Sequence, residues 1–168
     1  MGQMERTLAV INELEKGGLV SRYAIGGAMG ATFYVEPVVT FDLDVFVVLP
    51  TDSGGLLTLA PIYEMLRSRG YQEEGECIVI EGIPVQFLPA YNPLLEEALA
   101  EARETMYADV PTRVLRVEHL LAIALQTGRP KDHERIRLFL KEADFDRPYL
   151  TAILKRHDLE ELWERMNG

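Results

Sequence analysis

The sequence predicts an α/β (α+β) domain, a mixed sheet flanked by helices and followed by a helical C-terminal third. Three observations predict it. Residues 41–49, FDLDVFVVL, form a nine-residue run rich in β-branched and aromatic residues, bounded by Pro50 and the turn-forming Asp52-Ser53-Gly54-Gly55, the pattern of a buried strand. Residues 77–80 and 83–88 are short apolar runs joined by Glu81-Gly82, which reads as a hairpin. Beyond Pro111 the apolar spacing is mostly helical. Strands in the first half with helices after them define the class.

The elements follow in order. Leu8, Ile11, Leu14 and Leu19 fall near helical spacing with Glu5, Arg6, Glu13, Glu15 and Lys16 opposite them, so residues 4–16 read as an amphipathic helix closed by Gly17-Gly18. Tyr23-Ala24-Ile25 is a short strand running into Gly26-Gly27, and 28–35 a short helix ended by Pro37. Residues 59–69 form a helix with Pro61 in its first turn and Gly70 as its stop. Asn92-Pro93 is an Asx cap followed by proline at the first helical position; it launches LLEEALAEARE, whose acidic run reads as a solvated helix face. An extended piece at 113–115 precedes helices at about 117–127, 131–142, 148–156 and 159–166, the last opened by a capping-box-like Asp158 and Glu161. Residues 1–111 are the expected α/β core and 112–168 a helical extension packed on it, one domain overall.

Composition limits the function. The 168 residues are 48% apolar and 26% charged, as in an ordinary globular protein. The net charge of −10, from 27 acidic and 17 basic residues, disfavours a large phosphate-backbone footprint, because nucleic-acid affinity rests on Lys and Arg displacing counterions. A small basic site for one triphosphate is compatible with it. The single cysteine, Cys77, lies in an apolar run and reads as a buried, inert thiol. No stretch reaches the roughly 18 to 20 apolar residues of a membrane span, and MGQMERTLAV has no signal-peptide core. The expected location is cytoplasmic.

Asp42 and Asp44 are two apart in the strongest strand, so both carboxylates project from one face. Such a pair suits Mg²⁺ (or Mn²⁺), hard cations that take carboxylates, substrate phosphates and water. The competing reading is a solvated strand edge; against it, the residues that follow, 45–49, are all apolar, which puts the pair where a buried strand meets the surface. In haloacid-dehalogenase phosphatases and D-x-D glycosyltransferases the apolar strand precedes the acidic pair, and here it follows. Gly26-Gly27 joins a strand to a helix, where bare backbone N–H groups can approach a phosphate; its plain alternative is a tight turn.

Together, Ile25-Gly26-Gly27, a short helix and Thr40-Phe41-Asp42-Leu43-Asp44 resemble the signature of the polymerase-β-like nucleotidyltransferase superfamily. The resemblance is closest to its bacterial small nucleotidyltransferase-like proteins related to abortive-infection toxins, and it covers residues 23 to about 141. It implies a nucleotidyltransferase-type mixed sheet, Asp42 and Asp44 as metal ligands and catalytic residues, and transfer of a nucleoside monophosphate from a nucleoside triphosphate to an acceptor hydroxyl. It also implies that Gly26, Gly27 and Thr40 face the substrate. Many catalytic members carry a third carboxylate on a later strand; Gln86 stands there, an amide that can hydrogen-bond or weakly coordinate but cannot act as a base. Gly128-Arg129-Pro130-Lys131-Asp132 resembles the Arg-x-Lys-Asp segment of the abortive-infection-type proteins, which makes Arg129 and Lys131 phosphate-facing. Helix punctuation explains the same residues, with Gly128 a stop, Pro130 a start and Asp132 on the helix dipole.

His119, His133 and His157 have no metal-ligand spacing and read as solvent-facing or partly packed helix residues; Trp163 reads as a core anchor. Two nucleotide-related functions compete, with a plain interaction domain whose acidic strand is incidental as a third reading. One is a metal-dependent nucleotidyltransferase. The other is a catalytically impaired nucleotide- or partner-binding protein of the same fold, within a toxin–antitoxin pair, with a partner protein or a homo-oligomer as its assembly.

Overall fold

The structure is a computed structural model that describes residues 2–31, 33–34, 42–50 and 58–167. Thr40, Phe41, Pro37 and the Asp52–Gly55 turn lie outside the described residues. The described elements run in the order α1 (Gln3–Lys16), β1 (Arg22–Gly26), α2 (Gly27–Ala31), β2 (Leu43–Val48), α3 (Ala60–Ser68), β3 (Gln72–Glu74), β4 (Cys77–Ile80), β5 (Ile83–Pro89), α4 (Pro93–Ala100), β6 (Arg103–Tyr107), β7 (Val110–Val114), α5 (Val117–Thr127), α6 (Pro130–Glu142), α7 (Arg147–Arg156) and α8 (Glu160–Asn167).

The described strands form a seven-stranded mixed sheet, ordered β3-β4-β5-β2-β1-β7-β6. β2 is central, antiparallel to β1 and parallel to β5. Alternation along it separates two cores. Leu43, Val45 and Val47 join Tyr23 and Ile25 of β1 beneath α1 and α3, whereas Phe46 and Ala24 face a cluster built with α4, α5, α6 and α7. The sheet is thus covered by helices on both faces, which is why 43–48 reads as an apolar run. Asp44 shares the face of Phe46, so it belongs to the α5–α6 side.

Two elements depart from the sequence reading. The helix begun by Asn92, whose side chain accepts from the Leu95 N–H, ends at Ala100 rather than continuing through Glu104. Arg22 Nε donates to Leu99 O at 2.7 Å and Arg116 Nε to Glu101 O at 2.7 Å, so two guanidinium groups take carbonyls at the helix end. Residues 103–107 then pair with β7 as a hairpin around Ala108, φ 51°. The second is α8: Asp158 adopts φ 58° just past the end of α7, and Leu159 rather than Asp158 supplies the carbonyl that starts α8. Among the described residues no helix is long and apolar enough to cross a membrane.

Candidate functional site

The site forms at the end of the sheet where β1 stops and β2 begins. Gly26 is the ladder partner of Asp44, and Asp44 of Gln86 on β5. Ladder partners project from the same face, so Asp44 and Gln86 stand side by side. Continuing the β4–β5 register beyond Ile78↔Val85 sets Cys77 beside Gln86, and Cys77 pairs with Glu74. One row across the sheet therefore runs from a glycine through a carboxylate, an amide and a thiol to a second carboxylate.

The glycines are needed there for space. A Cβ on Gly27, whose φ is +59°, would overlap Asp44 Oδ2, and a Cβ on Gly26 would overlap the Phe46 ring. Asp44 is half-buried and Asp42, just ahead of β2, is exposed. Burial pushes the Asp44 carboxyl above its ordinary value; Arg135 opposes the rise most strongly, Asp42 adds to it, and Lys131 and Arg129 oppose it. Three cations of one segment and an acidic pair thus share one electrostatic neighbourhood.

That segment is shaped by its punctuation. Gly128, φ 69°, closes α5 in the left-handed region, and Pro130 opens α6. Asp132 is 1% exposed. It accepts from the Arg129 backbone N–H at 3.1 Å, from Arg129 Nε at 2.7 Å and, through its other oxygen, from an Arg129 terminal nitrogen at 3.2 Å. Burial alone would raise its pKa, but these bonds hold it below the usual carboxylate value. Arg129 therefore serves as a helix-cap partner, while Lys131 is exposed.

Two residues of the site were not visible in the sequence. Arg135, its side chain 16% exposed, lies one turn beyond Lys131 and within 3.5 Å of Asp132 Oδ1. Only its i+4 spacing from Lys131 hints that both share a helix face. Glu76, in the β3–β4 turn, accepts from Gln86 Nε2 at 3.3 Å. Its charge, after those of Asp42 and Asp44, adds to burial in raising the Cys77 thiol pKa, so this cysteine is buried and protonated at neutral pH.

Divalent-metal fit follows from this donor set. Among the described residues no three His, Cys, Asp or Glu side chains are grouped to hold a metal. Asp44 on β2 and Asp42 just ahead of it would offer a cation two carboxylates, to be completed by substrate oxygens and water rather than by an all-protein cage. A cavity of about 650 Å³ lies elsewhere, between α1 and the β6–β7 hairpin. Tyr23 Oη bonds Asn12 and Thr112 there and Glu15 pairs with Arg113; Lys16 and Glu104 also line it, and Arg113 Nε is buried without a partner among the described residues.

His133 and His157 are partly packed, as the sequence reading has them, whereas His119 differs from it. His119 is fully buried, and its Nε2 lies 2.8 Å from Glu97 Oε2, while Arg156 and His157 engage Glu97 Oε1 at 2.8 and 3.2 Å. This network ties α4, α5 and α7 together. Glu97, in the run read as a solvated face, is its hub. Trp163 is partly buried against the edge of the same core.

No protein-family model matches the chain, and no curated protein matches it. Solved structures are similar to it. An antigenic nucleotidyltransferase-like protein from Paracoccidioides brasiliensis is 14% identical, with a TM-score of 0.58 over 94% of this chain and 90% of that one. The antibiotic-resistance factor ANT(2'')-Ia in solution is 18% identical, with a TM-score of 0.49 over 99% of both chains. Its crystal structure with adenylyl-2''-tobramycin gives 19% and 0.45 over 95% of this chain and 96% of that one. The chain has an α/β fold of the nucleotidyltransferase-like kind.

Proposed function

We propose that this chain is a metal-dependent nucleotidyltransferase that moves a nucleoside monophosphate from a nucleoside triphosphate to an acceptor hydroxyl. The observation that carries the reading is that the half-buried Asp44 carboxylate, packed against Gly27, feels the charges of Asp42, Arg135, Lys131 and Arg129. Asp42 and Asp44 would hold Mg²⁺ or Mn²⁺, which stabilises charge developing on the transferred phosphoryl group. The bare backbone of Gly26-Gly27 would meet the nucleotide phosphates, Lys131 supplies a mobile positive charge, and Thr40 stands as an expected substrate contact. Gln86, whose amide nitrogen donates to Glu76, would offer an acceptor hydroxyl an oxygen that can accept a hydrogen bond but not act as a base.

The test is transfer of label from α-labelled nucleoside triphosphates with Mg²⁺ or Mn²⁺, in wild type and in Asp42→Ala and Asp44→Ala. Transfer that both substitutions abolish supports the reading; transfer untouched by either sinks it.

Gln86 in the Asp44 row favours a second reading: a nucleotide- or partner-binding protein of the same fold with impaired catalysis, in the toxin–antitoxin setting that the abortive-infection resemblance implies. It predicts a nucleotide-dependent thermal shift without label transfer. A ligand at a hundredfold excess over its Kd stabilises the folded state by about 2.7 kcal/mol, so a flat melting curve counts against both.

A further inference from the structure

β6 bounds the sheet, and among the described residues no strand pairs with its outer side. Which of its backbone groups are free follows from β7. Pro111 O accepts from Asn12 Nδ2 at 2.8 Å, and the Leu115 N–H donates to Ile25 O at 2.9 Å, so the odd-numbered residues of this stretch bond away from β6. Alternation then turns Val110, Thr112 and Val114 toward β6, where their ladder partners are Tyr107, Thr105 and Arg103. A two-residue turn closed by Tyr107 and Val110 gives the same parity. It also accounts for Pro111, whose missing N–H costs the β6–β7 ladder nothing. The N–H and C=O groups of Glu104 and Met106 therefore point outward, two donors and two acceptors placed symmetrically about Thr105.

Sheet edges are commonly blunted by shortness, charge or proline. The opposite edge is blunted in this way: β3 has three residues, Gln72, Glu73 and Glu74, all exposed, and a two-fold pairing there would set Glu73 against itself. β6 has five residues, no proline and one charge of each sign, Arg103 and Glu104, in a chain of net charge −10. It also carries two exposed large apolar side chains, Met106 and Tyr107. Reversed against a second copy, the strand sets Arg103 opposite Tyr107, Glu104 opposite Met106 and Thr105 opposite Thr105. No like charges stand opposite each other, each guanidinium gains an aromatic neighbour, and all four outward groups of each copy are paired.

We propose that two copies of this chain pair antiparallel through β6 about a two-fold axis at Thr105, joining their sheets, with Glu104 of each copy exchanging N–H···O bonds with Met106 of the other. The contact is isologous and leaves only the acidic β3 edge at either end, so assembly stops at the dimer. It does not rest on the transferase reading, since β1 and β7 separate β6 from β2, the strand of Asp44.

Sedimentation velocity across the micromolar range, with amide hydrogen exchange at the same concentrations, tests the pairing. The wild type is expected to form a dimer as concentration rises, and exchange at the Glu104 and Met106 amides to slow with it. The Thr105 and Tyr107 amides, bonded within the hairpin, are expected to be protected throughout. Met106→Pro removes only an outward N–H, which by symmetry deletes two bonds of the dimer, and is expected to weaken association about tenfold or more. Met106→Glu sets a carboxylate opposite Glu104 and is expected to weaken it likewise; adding Glu104→Lys to that variant restores it. This charge-swapped pair decides the matter if Met106→Pro does not fold. A wild type that stays monomeric overturns the proposal, as does a dimer whose affinity neither Met106 substitution changes. Protection at Glu104 and Met106 that is independent of concentration also overturns it, because the chain then covers its own edge.

Discussion

Gly27 lies so close to Asp44 that a Cβ at the glycine would overlap the carboxylate oxygen Oδ2. The contact links a backbone requirement to the proposed chemistry. Gly27 holds φ +59°, a region that costs an L-residue about 1–2 kcal/mol, and the space above it is what Asp44 occupies. Gly27→Ala is therefore expected to lose about 1–3 kcal/mol of stability and to displace Asp44. Urea unfolding measures the first effect and Mn²⁺ titration the second. A stable variant with wild-type Mn²⁺ affinity contradicts the argument.

The Glu97 network predicts acid sensitivity in two windows. Burial would raise the Glu97 carboxyl, but hydrogen bonds from Arg156, His119 and His157 outweigh it and hold the group at about 2, against 4.5 ordinarily. Its folded pKa is depressed, so its contribution is complete above 4.5 and is lost as pH falls toward 2, roughly 2–3 kcal/mol after allowing for the half-exposed Arg156. His119 is pushed below 6.5, first by burial and against the pull of Glu97. Neutral His119 donates from Nε2 to Glu97 and leaves a bare lone pair on Nδ1, one of two buried side-chain atoms without a partner among the described residues. The unfolded chain takes up that proton near 6.5, so stability starts to fall below 6.5 on this account and below 4.5 on that of Glu97. Urea unfolding at pH 7.5, 5.5 and 3.5 should show two declines, and Glu97→Gln should flatten the lower one. Equal pH dependence in wild type and Glu97→Gln rules the assignment out.

Asp132 offers a third measurement. It is the buried acceptor for two arginines, and removing one partner of a buried ion pair leaves the other uncompensated. Arg129 is half exposed and recovers hydration, so Asp132→Ala is expected to cost about 2–3 kcal/mol rather than the upper range for such pairs. A melting temperature within a degree of wild type contradicts it.

How far the sequence could be read depends on the range of the interactions involved. β2 and the β4–β5 hairpin were legible because burial on both faces and a two-residue turn leave local signatures, and the meeting of the glycine pair with Asp44 follows from the strand register that those signatures set. β6 was not. Residues 103–104 continue a run of good helix formers, and only pairing with β7 and arginine capping of α4 decide against the helix. Arg135 was hidden for the same reason, since it bears on Asp44 from a distant part of the chain; Glu76 is only ten residues from Gln86, but a turn residue carries no periodicity that shows where its side chain goes. His119 carried no spacing signal, since its partner Glu97 lies on another helix.

The row Gly26–Asp44–Gln86 supplies the test that separates the two functional readings. Gln86→Glu sets a third carboxylate beside Asp44 and replaces the amide that donates to Glu76 at 3.3 Å. Without metal, the introduced carboxylate repels the like charges of Asp44 and Glu76, and stability at pH 7 is expected to fall by about 1–2 kcal/mol. A divalent cation reverses the sign of that interaction, so Mn²⁺ should restore the loss and bind severalfold more tightly than in wild type. If the amide is what limits catalysis, the new carboxylate also gives the acceptor hydroxyl a proton acceptor, and label transfer should rise by about ten- to a hundredfold. Melting curves with and without Mn²⁺ read the first effect and transfer assays the second. Tighter Mn²⁺ binding with unchanged transfer locates the limitation elsewhere than at Gln86, and Mn²⁺ affinity that does not move means that the side chain at this position does not face the cation at all.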